Sequence, residues 1–214
     1  MNNSALKAAV VLILSLVYFN SYGEAKYKGC VGASGAVMTG DTYNYVMGCD
    51  GKIGFSIKTE QGICFNINSY RPDGVFFGAG IGFDYVNVAL SDFDQDKYET
   101  TNILSNSIIA VPIYLTVKYI YTMSKISMVY QVKGGYYKWY RGHILEHNKN
   151  LDKNYDIPYQ GSYMFGFGIG LRFPINEKYG VSLMFDYDYM GANMKGLIEN
   201  ISNNKTGISV SFDF

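Results

Sequence analysis

The sequence predicts an all-β fold: an eight-stranded antiparallel transmembrane up-and-down β-barrel preceded by a cleaved signal peptide. Three observations predict it. Apolar residues alternate with small or polar ones along eight segments, the connections between these segments alternate between short and long, and the first residues have the pattern of an export signal. Aromatic residues make up 16% of the chain and include 21 Tyr, and 24 Gly far outnumber 4 Pro, as is typical of strands joined by tight turns.

The N-terminal segment, residues 1–25, is predicted to be a secretory signal peptide, which leaves residues 26–214 for the barrel. Lys7 precedes an apolar run over residues 8–19, interrupted by Ser15, which is shorter than the roughly 20 residues that a spanning helix needs. Small residues follow it at Ser21, Gly23 and Ala25. We therefore expect cleavage, after either Gly23 or Ala25.

Alternation is clearest in the last segment, where Ile208, Val210, Phe212 and Phe214 alternate with Gly207, Ser209, Ser211 and Asp213. The same period recurs at about residues 28–38, 53–65, 75–85, 111–121, 126–136, 163–173 and 181–189. The face opposite the apolar one is rich in Gly and Ser, which favours the interior of a narrow barrel, with the apolar face against lipid. A soluble β-sandwich, which can also alternate in this way, is the alternative.

Tyrosines near the segment ends are predicted to form girdles at the two membrane interfaces. They are Tyr85, Tyr121, Tyr136, Tyr159, Tyr163 and Tyr189. The connections support the same topology, because short turns are predicted at residues 68–74, 122–125 and 174–179. Long polar loops are predicted at residues 39–51, 90–106, 141–161 and 190–205. Short turns on the periplasmic side and long loops outside are the pattern of outer-membrane barrels.

Three segments resemble the outer membrane protein β-barrel domain family of small Gram-negative barrels: residues 76–85, Val111-Pro112-Ile113 and residues 165–174. The C-terminus resembles the signal that the outer-membrane assembly machinery reads, with Gly207, Val210, Phe212 and Phe214. The resemblance covers the whole mature chain. It implies a barrel in the cell outer membrane, with membrane lipid and the assembly machinery as partners, and it implies no catalytic residue.

A polar network is predicted inside the barrel, because an isolated charge away from water is very costly. The parity of each strand points nine charged side chains inward, and the two signs nearly balance. They are Lys58, Lys118, Lys133, Arg172, Glu60, Asp84, Asp186, Asp188 and Asp213. An eight-stranded interior has room for side chains but for no wide channel, so we expect a plugged lumen. A narrow ion or water path is the alternative.

Cys30 and Cys64 are both assigned inward, near the periplasmic ends of the first two strands. In an oxidising compartment they form a disulfide if their Cβ atoms come within about 4.5 Å; otherwise they are buried free thiols. The residues leave both interpretations open. In either case Cys49, in the first long loop, is unpaired.

Catalysis and metal binding have little support in the sequence. His143 and His147 flank Glu146 in one loop, and only a helical loop would bring both imidazoles to one face for a metal. We therefore predict no enzyme, no metal and no cofactor. Tyr137, Trp139, Tyr140 and Arg141 cluster at the mouth of the fifth strand, where interfacial anchoring explains them, and an extracellular ligand at the loops is the alternative.

The function expected from these features is that of an integral outer-membrane barrel with a structural or surface-interaction role. A formal net charge of zero gives no electrostatic reason to expect a nucleic-acid partner. A transport barrel for a small solute or a hydrophobic molecule is the second hypothesis, and it requires an open lumen or a lateral gap in the wall.

Overall fold

The structure, a computed structural model, describes residues 25–40, 50–67, 74–89, 108–141, 143–148, 151–156, 162–176, 178–192 and 201–214. The predicted signal peptide before Ala25, as well as Cys49 and Tyr159, lies outside these residues. Within them, no helix is long and apolar enough to cross a membrane.

Eight strands form one closed antiparallel barrel, as the alternation predicts. They are β1 (Ala25–Gly40), β2 (Lys52–Asn66), β3 (Gly74–Ala89), β4 (Ile108–Met123), β5 (Ile126–Arg141), β8 (Ser162–Pro174), β9 (Gly180–Ala192) and β10 (Ile201–Asp213). Around the barrel they follow the order β1-β10-β9-β8-β5-β4-β3-β2. Each strand thus pairs with two neighbours, and no barrel edge is left for another chain to extend.

A separate hairpin of β6 (His143–Asn148) and β7 (Leu151–Asp156) occupies the segment predicted as a loop over residues 141–161. The barrel strands also extend beyond the predicted segments, so that β5 continues to Arg141 and β10 begins at Ile201. The hairpin and the strand extensions were not predicted, because alternation identifies a strand only where one of its faces is apolar. A strand that projects beyond lipid into water needs only its backbone hydrogen bonds.

Every barrel strand exposes apolar residues on the outer wall. In β8 the burial alternates residue by residue from Ser162 to Phe167, with each outward aromatic exposed. The same holds on β2, where Phe55 is 72% exposed, and on β4, where Leu115 is 63% exposed. Apolar side chains at this exposure over a whole barrel wall are what an acyl-chain environment stabilises.

Outward tyrosines occupy the positions that the girdle requires. Tyr85, Tyr136 and Tyr163 are exposed, and Tyr121 and Tyr189 are half-buried on the same outer wall. Tyr137, which belongs to the aromatic cluster predicted at the mouth of β5, instead points its side chain into the barrel and is almost fully buried. Strand parity requires this, because Tyr136 beside it faces outward. The side chains of Trp139, Tyr140 and Arg141 lie outside the described residues.

The short connections lie together at one end of the barrel, which we call the turn end, and the other end is the loop end. A two-residue turn, Ser124 and Lys125, joins β4 to β5, with Ser124 at a φ of 58°. A positive φ at the first central residue matches the turn to the twist of its strands. Between β8 and β9, the Asn176 side-chain oxygen accepts hydrogen bonds from the backbone N–H groups of Lys178 and Tyr179, both at 2.9 Å.

The seam between the first and last strands closes the barrel at the turn end. The backbone N–H of Gly29 donates to the carbonyl of Phe214 at 2.8 Å, and the N–H of Phe214 donates back at 2.9 Å. The ring of Phe214 lies over Gly29, where an added Cβ would come within 2.8 Å of it. A side chain at position 29 would therefore require the Phe214 ring to move.

The outer wall predicts a depth-dependent cost for charge. Leu115 lies midway along β4, and Ile175 lies in the turn after β8, yet both are 63% exposed. In a bilayer we expect Leu115→Arg to lower the free energy of unfolding by about 2–4 kcal/mol and Ile175→Arg by about 0–1 kcal/mol. Urea unfolding in liposomes measures both. Equal costs for the two variants would contradict a lipid-facing belt on β4.

Candidate functional site in the barrel interior

The inward side chains form a network of ion pairs across the lumen. All nine predicted charged residues face inward and take part in it. The pairs are Lys58–Asp186, Lys118–Glu60, Lys133–Asp186, Lys133–Asp188, Arg172–Asp213 and Lys205–Asp84. In every pair the two residues come from strands that are not neighbours in the sheet. The network therefore links separate parts of the wall through the interior.

Glu60 is the most enclosed of these charges, with no exposed surface. Lys118 pairs with its Oε2 atom, and its Oε1 atom accepts hydrogen bonds from the Tyr114 hydroxyl at 2.8 Å and from Gln131 Nε2 at 3.0 Å. Gln131 Nε2 also donates to Thr116 Oγ1 at 2.8 Å. Both carboxylate oxygens thus have donors, which is what makes a buried charge tolerable.

Asp186 and Asp188 of β9 share Lys133 of β5. Its Nζ atom lies 3.2 Å from Asp186 Oδ1 and 2.7 Å from Asp188 Oδ1. Asp186 Oδ2 accepts hydrogen bonds from Lys58 Nζ at 3.1 Å and from Ser209 Oγ at 2.7 Å. Two cations thereby balance two carboxylates in the middle of the lumen.

Inward glycines leave the space that these side chains occupy. A Cβ added at Gly166 of β8 would overlap the Asp188 carboxylate, and one at Gly80 of β3 would overlap the Tyr114 ring. The Gly-rich inner face predicted from the sequence is thus matched to long side chains on neighbouring strands.

Asp84 forms the next layer toward the loop end and is likewise almost fully buried. Its Oδ2 atom accepts hydrogen bonds from Lys205 Nζ at 2.6 Å and from the Tyr137 hydroxyl at 2.5 Å. Lys205 also donates to Ser56 Oγ at 2.8 Å. Sequence reasoning placed Lys205 in a loop, although the alternation of β10 extended backward from Ser209 would have pointed it inward.

An apolar cluster, not predicted from the sequence, lies in the lumen between Asp84 and the loop end. It consists of Met38, Val86, Ala110, Tyr114, Tyr137, Met164 and Met190. Met38, Met164 and Met190 come from β1, β8 and β9, so three flexible side chains meet from different strands. The sequence did contain a signal for this cluster, because the alternation of each strand points these three methionines inward.

Among the residues that the structure describes, none fills the turn end of the lumen. A cavity of about 590 Å³ extends inward from the turn residues Ser124 and Asn176 to Lys118 and Gln131. The prediction of an interior plugged along its whole length therefore does not hold at this end. Small side chains on the inner wall, among them Ser127, Ser182 and Ser211, leave the space unfilled.

Of the two interpretations left open for Cys30 and Cys64, the structure has the buried free thiols and not the disulfide. The register pairs Cys30 with Glu60 and Cys64 with Lys26. The two cysteines are thus offset by four residues, about 13 Å along the strand, which is far beyond disulfide reach. Cys30 Sγ instead lies 3.6 Å from Glu60 Oε2.

The loop histidines lie on β6 and not on a helix. Four strand residues span about 13 Å, so this backbone separates His143 from His147 too far for one metal ion. Among the residues that the structure describes, no group of three or more His, Cys, Asp or Glu side chains could hold a metal.

Removing Glu60 tests the lumen network. Glu60→Leu leaves Lys118 buried without its carboxylate, so we expect the free energy of unfolding to fall by about 3–5 kcal/mol. Glu60→Leu combined with Lys118→Met removes both charges and should recover most of that loss. Urea unfolding in liposomes measures each variant. Additive costs in the double variant would contradict coupling between the two residues.

No protein-family model and no curated protein sequence matches the chain. Among solved structures, Neisserial surface protein A is 12% identical and has a TM-score of 0.53, over 87% of this chain and 97% of that chain. The outer membrane enzyme PagL is 11% identical with a TM-score of 0.48, over 86% and 98% of the two chains. Ail, the attachment invasion locus protein of Yersinia pestis, is 10% identical with a TM-score of 0.43, over 88% and 97%. At such identities a likeness concerns the fold alone. The chain has the fold of the small eight-stranded outer-membrane β-barrels.

Proposed function

We propose that the chain is an integral outer-membrane protein whose closed barrel has a structural or surface-interaction role and passes no solute. One observation carries the proposal: ion pairs cross the middle of the lumen and a methionine-rich cluster fills its loop end. A closed barrel is a rigid anchor, which leaves the loop end as the part that meets partners.

The outer wall supports a lipid environment. All eight strands expose apolar side chains on this wall, and no described residue covers them. We therefore assign membrane lipid as their partner. Val210, Phe212 and Phe214 are exposed on this wall at the C-terminus, which suits the proposed recognition by the outer-membrane assembly machinery. Gly207, the remaining residue of the predicted assembly signal, pairs with Ala36 of β1.

Closure of the lumen is supported by the depth and connectivity of the network. A solute that entered from the turn end would have to displace Lys133 from two carboxylates, and then Lys205 from Asp84. Each displacement leaves buried charges without partners, which costs several kcal/mol. Beyond them, the solute would meet Met38, Val86 and Met190, which have almost no exposed surface.

The loop end supports contact with the exterior. The outer wall becomes polar there on β10, where the Tyr187 hydroxyl donates to Asn204 Oδ1 at 2.6 Å. Thr206 and Ser202 occupy the same outward parity, beyond the apolar Ile208. The barrel wall thus continues past the lipid belt, and the β6–β7 hairpin follows β5 at this end.

A transport role is the alternative, and solute flux separates the two. We expect the purified chain in liposomes to give no swelling in arabinose, because the network and the methionine cluster block the lumen. A general porin is the positive control. Lys133→Ala combined with Met38→Ser and Met190→Ser should raise flux if the variant still folds. Arabinose entry through the unaltered chain at a porin-like rate would contradict closure and favour transport.

The orientation is tested with an epitope tag. A tag inserted between β6 and β7 should bind antibody on intact cells, because the loop end is assigned to the exterior. The same tag between Ser124 and Lys125, in the turn between β4 and β5, should bind only after the outer membrane is permeabilised. The reverse pattern would overturn the assignment of the loop end to the cell surface.

A further inference from the structure

The turn-end cavity has the size of a ligand site. Its volume of about 590 Å³ falls within the usual range of small-molecule pockets, roughly 300–1,000 Å³. The turn residues Ser124 and Asn176 line its mouth, and Gln131 lies at its depth. The surface role proposed for the loop end does not involve this cavity.

The cavity wall is strongly cationic. Lys26, Lys28, Lys58, Lys118 and Arg172 line it, whereas Asp213 is the one carboxylate among the lining residues that the structure describes. Glu60 and Asp186 do not line the cavity, whereas their partners Lys118 and Lys58 do. The Lys118 side chain is 16% exposed and that of Glu60 is 0% exposed, so the cavity meets the lysine side chain and not the carboxylate.

Two of these cations have capacity for a further acceptor. Lys28 points inward by the parity of β1, and its amino group has no hydrogen-bond or ion-pair partner among the described residues. Arg172 donates to Asp213 through Nε at 2.8 Å, and its terminal nitrogens have no acceptor in the described part of the chain. Guanidinium and ammonium groups in a partly enclosed site are the donors that carboxylates and phosphates prefer.

The wall also has an apolar side, formed by Phe76, Ile120, Val129 and Met184. Lys118 Nζ lies 5.3 Å from the centre of the Phe76 ring, so the charged and apolar sides are adjacent. A ligand with an anionic group and a short apolar part would contact both.

We propose that this cavity binds a small soluble organic anion, a phosphate or carboxylate with a short apolar portion, which enters from the turn end. Lys28 and Arg172 hold the anionic group, and Phe76 with Val129 contacts the apolar portion. The inference goes beyond the proposed surface role and does not depend on it, because the cavity and the loop end are separated by the lumen network.

Phenyl phosphate is a suitable probe, and phenol is its uncharged control. In uncharged detergent micelles, amide chemical shifts of the folded chain should saturate with phenyl phosphate and change most at residues that line the cavity. Phenol should give no saturable change. The micelles carry no phosphate, so a lipid headgroup cannot supply the anion, and anionic lipid added as a competitor tests that source separately.

Lys28→Gln should weaken phenyl phosphate binding about tenfold or more, since it removes a charge-assisted hydrogen bond. Lys125→Gln is the matched control, because Lys125 is exposed in a turn at the same end and does not line the cavity. Arg172→Gln is a second test of the anion site, and a shift in gel mobility on boiling verifies that each variant folds. No saturation in the unaltered chain, or equal weakening by Lys125→Gln, would overturn the proposal.

Discussion

Closure of the hydrogen-bond ladder between β1 and β10 is the constraint on which the rest of the structure depends. Once Cys30 faces Asp213 across this seam, no barrel strand has an unpaired edge, and every residue of the barrel strands is assigned to the outer or the inner face of the wall. The outer face then requires apolar side chains, and the inner face must satisfy its charges from within. Both the lipid belt and the lumen network follow from this one closure.

The lumen network determines how the interior is filled more than it adds net stability. A buried ion pair is often no more stable than apolar packing of similar volume, but removal of one partner is strongly destabilising. Here each pair joins non-adjacent strands, so Glu60, Asp84 and Asp186 fix which parts of the wall meet inside. Toward the loop end the polar middle borders the buried Met38, Met164 and Met190, and at the turn end it borders a cationic cavity, so the two ends differ in chemistry.

The sequence predicted what depends on a period of two and missed what depends on register or on polar strands. Alternation predicted the number of barrel strands, their outward residues and the inward parity of residues such as Lys133 and Arg172. It could not give the offset of Cys64 from Cys30, because a shift of the register by two residues leaves every side chain on the same face. The β6–β7 hairpin and the strand around Lys205 were missed because they lack an apolar face. The partner of each charge depends on which strands lie across the lumen, and that is a property of the closed barrel.

Together these features support the proposal of a membrane anchor with a closed lumen, polar structure at the loop end and an anion-binding cavity at the turn end. The central claim is that the apolar outer wall lies against membrane lipid. The most direct test is gel mobility of the protein from purified outer membranes, compared before and after boiling. A folded barrel in that fraction, with a mobility shift on boiling, is the predicted result. Recovery of the protein in soluble periplasm or medium, with no shift, would contradict it and would require the same alternation to be explained by a secreted β-sandwich.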